Sequence, residues 1–181
     1  MSKALVVAAS VLLAVSLMPP ALAQGSGPVR LTINPEASTV ARTELSIDAH
    51  PASVWAVLTD IGQWPDWMPE IASARLDGPL APGSVIHWQP QGQVVESRLV
   101  EVIPERRLVW NGTDGAVHVW ELVPTGSGTL LRNEESIDSW KVAKGSKEGS
   151  QILTQGLSMW NQRLAEQATK RANFPAAPGQ K

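Results

Sequence analysis

The sequence predicts an α+β domain, a seven-stranded antiparallel sheet with short helices after its first strand and a long C-terminal helix laid across the concave face. Three observations predict it. From about residue 71 to 138, strand-like runs alternate with turn residues at short, regular spacing, the pattern of a meander. One earlier run, Thr39 to Asp48, leads straight into a helical repeat. The segment from about Val142 to Arg171 carries Leu153, Leu157, Trp160, Leu164 and Ala168 along one side, as an amphipathic helix does.

The chain has 181 residues, a one-domain length with bulk enough for a core. Residues 1–23 read as a secretory leader: Lys3, the apolar run Ala4 to Met18, Pro19-Pro20, then the small-residue triplet Ala21-Leu22-Ala23. Cleavage is expected before Gln24, and the protein is expected to be secreted or periplasmic. The run falls short of the roughly 20 apolar residues of a spanning helix, which favours a cleaved leader over a retained anchor. Residues 24–38 are a flexible N-terminal segment, 39–171 the domain and 172–181 a frayed tail.

Lys plus Arg total 15 and Asp plus Glu 17; losing Lys3 with the leader moves the formal charge from −2 to −3. No basic cluster appears, which argues against nucleic acid and anionic membrane surfaces as partners. The absence of cysteine removes disulfides, thiol catalysis and thiolate metal sites together. Eight Trp stand beside one Phe and no Tyr. Each indole buries on the order of 150–250 Å², so most must face a core or a cavity.

In the first strand Ala41, Thr43, Leu45 and Ile47 alternate with Val40, Arg42, Glu44 and Ser46. Pro51 suits the first helical position, where its missing N–H costs nothing, and Val54, Trp55, Leu58 and Ile61 follow on one face. Gly62, Pro65 and Pro69 end the helix, and Trp64 and Trp67 project from that corner, where something concave must cover them. Asp60 and Asp66 read as cap or turn residues.

Val54-Trp55, Leu58-Thr59-Asp60 and Trp64-Pro65-Asp66-Trp67-Met68-Pro69 resemble the opening signature of the helix-grip superfamily, also called START-like or SRPBCC. The nearest branch is the polyketide cyclase/dehydrase and lipid-transport group. The resemblance implies a curved sheet wrapped around the C-terminal helix, with a hydrophobic pocket between them.

The remaining strands are expected at about Ile71 to Leu76, Ser84 to Gln89, Gln93 to Ile103, Arg107 to Trp110, Ala116 to Val123 and Thr129 to Asp138. Taking the bulkier set as inward, Ile86 and Trp88 share a face with Val95, Ser97 and Leu99, and with Leu108 and Trp110. His118, Trp120 and Leu122 then line up with Leu131, Asn133, Glu135 and Ile137. His87, Glu96, Arg98, Val117, Glu121, Arg132 and Glu134 face outward. Val94, Val100 and Val102 break the alternation, as a bulge would. In the last helix Gly145, Gly149 and Gly156 loosen the early turns, each at about 1 kcal/mol relative to Ala. Gly156 lies in the apolar stripe, where missing bulk means either space beneath the helix or close contact with an indole.

Familiar catalytic spacings are absent: no Gly-x-Ser-x-Gly elbow, no His-Glu-x-x-His and no complete phosphate loop. His50, His87 and His118 share no metal-ligand spacing, so no metal and no cofactor is expected. The informative polar set is His118, Asn133 and Glu135, with Ser97 as a possible fourth member. It reads as a self-satisfied buried network, as a floor that orients a ligand's polar group, or as a His/Glu acid–base pair. Trp55, Trp64 and Trp67 read as core; Trp88, Trp110, Trp120 and Trp160 read as core or pocket wall.

The expected pocket is lined by Ile86, Trp88, Ser97, Leu99, Trp110, His118, Trp120, Leu131, Asn133 and Glu135 on the sheet and by Leu153, Leu157 and Trp160 on the helix. Three functions fit such a groove: an exported carrier of a small hydrophobic molecule (a lipid, isoprenoid or polyketide-like compound), a cyclase or dehydratase working through His118 and Glu135, and a module that grips a partner's helix.

Overall fold

The computed structural model describes residues 29–90, 92–140 and 145–173. The expected leader, the expected tail from residue 174 onward and Val142, the expected start of the last helix, lie outside the described residues. The elements are β1 (Thr39–Ile47), α1 (Pro51–Leu58), a 3-10 turn (Ile61–Gln63), α2 (Trp64–Trp67), β2 (Ile71–Asp77), β3 (Val85–Pro90), β4 (Val95–Ile103), β5 (Arg107–Asn111), β6 (Val117–Thr125), β7 (Gly128–Ile137) and α3 (Ser146–Asn173). A second 3-10 turn, Thr113–Gly115, joins β5 to β6.

The sheet is antiparallel with the order β1-β7-β6-β5-β4-β3-β2. Strands β2 to β7 meander through hairpins. The helices of the first connection let β1 reach the far edge beside β7, where Thr39 stands opposite Ile137 and Ile47 opposite Thr129. The expected seven strands and the helix-grip architecture are both present. The irregularity expected in the fourth strand is present too: the β4–β5 register shifts between Leu99 and Glu101, turning Leu99 and Val102 to the concave side and Val100 to the other.

Local chemistry sets the corner. His50 caps α1, its Nδ1 accepting from the Ala52 N–H at 3.2 Å, and Pro51 takes the first turn. Thr59 ends the helix, its hydroxyl donating to the Trp55 carbonyl at 2.8 Å. Pro65 does not act as a stop. It sits in the first turn of α2, where a missing N–H is harmless, so the chain makes one more helical turn before Met68. That extra turn drives Trp64 and Trp67 inward, to 0% and 8% exposure.

The main core runs from α1 and α2 across the concave face to Trp160, Leu164 and Ala168 of α3. A smaller cluster joins Leu153 and Leu157 to Ala41 and Ile137 near the start of β1. A third lies on the convex face, where Val109, Val117 and Val119 are covered by Ile33. Val117 faces outward as read, yet it is 1% exposed because residues 29–36 cross over it. Hydrogen bonds hold that strap. Asn111 Oδ1 accepts from the Arg30 N–H at 3.0 Å and Asn111 Nδ2 donates to the Arg30 carbonyl at 2.9 Å. Asp138 accepts from Arg30 Nη1 at 2.6 Å and from Asn34 Nδ2 at 2.7 Å.

Candidate functional site

Strand register brings the polar set together. Across β6 and β7, His118 stands opposite Glu135 and Trp120 opposite Asn133, so all four side chains share the concave face. His118 Nε2 lies 2.6 Å from Asn133 Oδ1, and its Nδ1 lies 3.6 Å from Glu135 Oε2. The network extends to two residues outside the polar set expected from the sequence. Asn133 Nδ2 donates to Asn161 Oδ1 at 2.8 Å, and Asn161 Nδ2 donates to Thr43 Oγ1 at 2.9 Å. The Thr43 hydroxyl donates to the backbone carbonyl of Asn133 at 3.0 Å. Both had a signal: Thr43 belongs to the inward set of β1, and Asn161 falls four residues after Leu157 and three before Leu164, inside the apolar stripe of α3.

The direction of these bonds fixes the imidazole. With its Nδ2 committed to Asn161, Asn133 offers only an acceptor to His118, so Nε2 carries the hydrogen and Nδ1 carries a lone pair. Burial pushes His118 down to about 3, against a smaller upward pull from its bond to Asn133. Burial pushes Glu135 up to about 8. Near pH 7 both groups are neutral, and a protonated carboxyl faces an imidazole lone pair. At 3.6 Å the two do not bond directly.

Around them the lining is aromatic. The His118 ring stacks on Trp120 at 4.9 Å and 16°, with Trp110 at 4.6 Å. Trp160 of α3 contacts Trp64 at 5.0 Å, Trp120 at 5.4 Å and Trp88 at 5.9 Å. The floor of the cup is therefore filled by its own indoles. Ile86, Leu99, Trp120 and Leu131 lie there with no exposed surface. Leu153 and Leu157 sit apart from this cluster, against β1 and β7. Ser97 does not join the His118 network; its hydroxyl accepts from Trp88 Nε1 at 3.2 Å.

Two groups of the concave face are less fully covered. Trp88 is only half-buried, and the Glu135 side chain keeps 16% of its surface. Gly156 lies one helical turn before Trp160 on α3, and a methyl added there would meet no other atom within 4 Å. Of the two readings of that glycine, close contact with an indole is not what is found. The buried Nε1 of Trp120 has no hydrogen-bond partner among the described residues. No cluster of His, Asp or Glu able to hold a metal occurs among the described residues. No described helix is long and apolar enough to cross a membrane. A separate open groove of about 700 Å³, lined by Val57, Asp60, Asp66, Trp67, Lys170 and Arg171 among others, shares no residue with the polar network.

Among solved structures the chain is similar to the di-domain ARO/CYC protein BexL from the BE-7585A biosynthetic pathway, at 21% identity and TM-score 0.62, covering 80% of this chain and 52% of that one. It is similar to the di-domain ARO/CYC protein StfQ from the steffimycin biosynthetic pathway, at 18% identity and TM-score 0.62, covering 75% and 53%. It is also similar to the AHSA1-like protein from Aeromonas hydrophila, at 12% identity and TM-score 0.57, covering 79% and 100%. At these identities the likeness is one of fold, and the chain spans about half the length of the two di-domain proteins. No curated protein matches the sequence. Residues 38–158, from the start of β1 into the first half of α3, match the family model described as polyketide cyclase / dehydrase and lipid transport; the chain belongs to that family, within the SRPBCC or helix-grip superfamily.

Proposed function

We propose that the protein binds a small, largely apolar molecule against its concave face, with the ligand's polar group against His118 and Glu135. One observation carries this reading: among the described strands, the concave face holds only two ionisable groups, and burial keeps both neutral. Such a surface favours an apolar body with one uncharged polar group and rejects ions, which would lose their hydration unpaired. The absence of close packing around Gly156 is compatible with a ligand against that part of α3. The biosynthetic-pathway ARO/CYC neighbours and the family description favour a polyketide-like or lipid compound as that ligand. Lys3, the apolar run after it and Ala21-Leu22-Ala23 support an exported carrier.

The test is native mass spectrometry and solvent extraction of the purified protein, followed by titration with an environment-sensitive naphthalene dye. A co-purified apolar compound, or saturable dye uptake that such a compound reverses, is the expected result. Absence of both overturns the proposal.

A second reading, an enzyme of the cyclase or dehydratase kind, is favoured by the lone pair of His118 Nδ1 facing the Glu135 carboxyl. A base and an acid on neighbouring strands suit proton removal and return on one bound molecule. On this reading His118→Ala abolishes turnover of an extracted compound while leaving it bound.

A further inference from the structure

We infer that the site selects a hydroxyl group, and that Asn161 and Thr43, which never touch the ligand, set this choice by fixing which ring nitrogen of His118 carries hydrogen. The inference rests on the binding reading above and adds the chemical class of the group bound.

The chain of donors has one consistent direction, and a backbone atom anchors it. The Thr43 hydroxyl spends its hydrogen on the Asn133 carbonyl oxygen, so it can only accept from Asn161. Asn161 Nδ2 is the group it accepts from, which turns Asn161 Oδ1 toward Asn133 Nδ2. Asn133 must then accept from His118 Nε2, and Nδ1 is left as an acceptor on the side of Glu135. Reversing the imidazole would set its lone pair against Asn133 Oδ1 at 2.6 Å, two acceptors in contact.

The gap between Nδ1 and Glu135 Oε2 is 3.6 Å, too long for one hydrogen bond. An oxygen placed about 2.8 Å from each atom completes the pair. To do so it must donate to Nδ1 and accept from the carboxyl O–H. An alcohol or phenol does both; a carbonyl or ether only accepts, and a hydrocarbon does neither. Glu135 stands between His118 of β6 and Ala41 of β1, with Asn133 and Ile137 two residues away on its own strand, and this uncharged setting favours the neutral carboxyl. The other charged groups of β6 and β7, Glu121, Arg132 and Glu134, lie on the opposite face.

Two measurements on the unaltered protein test this. The first is binding of 1-naphthol, 1-methoxynaphthalene and naphthalene by calorimetry at pH 6.5. The naphthol is expected to bind about tenfold more tightly than either of the others, the ratio of one net hydrogen bond. Equal affinity for all three, or a methoxy compound that matches the naphthol, overturns the inference and leaves the binding reading standing. Failure of all three to bind overturns the inference, and the binding reading falls with it only where no apolar compound co-purifies and no dye is taken up. The second is a long-range proton–nitrogen correlation spectrum, in which His118 is expected to show a protonated Nε2 and an unprotonated Nδ1. The opposite tautomer overturns the inference whatever the affinities. Asn161→Leu is expected to mix the two tautomers and cut the naphthol preference to below threefold, with naphthalene affinity unchanged. A preserved tautomer and preference in folded Asn161→Leu overturns the role of Asn161.

Discussion

Trp64 Nε1 donates to the backbone carbonyl of Leu58 at 2.9 Å, and neither residue has exposed surface. The bond satisfies one of the carbonyls that α1 leaves free at its C-terminus, in a place water does not reach. Trp120 is buried just as fully, but its Nε1 has no partner among the described residues. The two indoles therefore predict opposite polar effects for one substitution. Trp64→Phe loses volume and strands a buried carbonyl, while Trp120→Phe loses similar volume and removes an unpaired donor. Chemical denaturation should find Trp64→Phe the more damaging by about 1–3 kcal/mol. Equal losses would show that the Leu58 bond contributes nothing net.

His118 and Glu135 place two opposed slopes on stability. The imidazole falls from 6.5 to about 3 on burial, so between these values the unfolded chain takes up a proton that the folded protein refuses, and stability drops as pH drops. The carboxyl rises from 4.5 to about 8, so between those values the folded protein keeps a proton that the unfolded chain releases, and stability drops as pH rises. Asp138, held below the usual carboxylate range by Asn34 and Arg30, adds to the acid side: its contribution is present above its ordinary value and lost as pH falls below it. The slopes of His118 and Glu135 oppose one another between 4.5 and 6.5, and each is no steeper than about 1.4 kcal/mol per pH unit. Tm should be highest in that interval and fall toward pH 8. Glu135→Gln should flatten the alkaline fall and leave the acid one. A wild-type Tm that climbs from pH 6 to pH 8 is incompatible with a neutral Glu135.

The strap over the convex face gives a third prediction. Ile33 is the apolar cover for Val109, Val117 and Val119, and Asp138 holds the strap through Arg30 and Asn34. Ile33→Ala should cost about 2 kcal/mol or more, the usual loss for a buried large-to-small change. Asp138→Ala should cost less, because its pairs are about one-third exposed, and should instead raise proteolysis before residue 38. If neither variant speeds cleavage there, the strap does not depend on these contacts.

Much of this was legible before any coordinate. Alternation assigned Ile86, Ser97, Leu99, Trp110, His118, Asn133 and Glu135 to one face, because a strand's period of two leaves little freedom once the turns are placed. The apolar stripe of α3 located Trp160 and Leu164 in the same way. The strap has no signal in its own residues, although β5 and β6 announce it. Leu108-Val109-Trp110 and Val117-His118-Val119-Trp120 are apolar on alternate positions of both faces, which asks for cover on both sides. Asn161 is hard to single out in the sequence because a polar residue in an apolar stripe looks like its edge. Only the register between β1, β7 and α3 shows that its partners are Asn133 and Thr43. Spacing also does not say whether inward indoles touch. The contacts of Trp160 with Trp64, Trp88 and Trp120 fill a floor that the sequence leaves open.

Gly156 separates the fold from its proposed use. Within α3 a glycine costs about 1 kcal/mol relative to alanine, and here an added Cβ meets nothing within 4 Å. Gly156→Ala should therefore raise stability by about that amount and leave dye uptake intact. Gly128 is the contrast: its φ is +155° and an added Cβ would fall on the Ile47 carbonyl oxygen, so Gly128→Ala should destabilise severely. Gly156→Trp keeps the helix and extends an indole into the space one turn from Trp160. If a ligand occupies that space, the variant should fold with near wild-type Tm and lose dye and naphthol uptake by tenfold or more, since overfilling a cavity costs affinity directly. Unchanged uptake in folded Gly156→Trp would place the ligand elsewhere, and the groove by Trp67 and Arg171 would be the next surface to test.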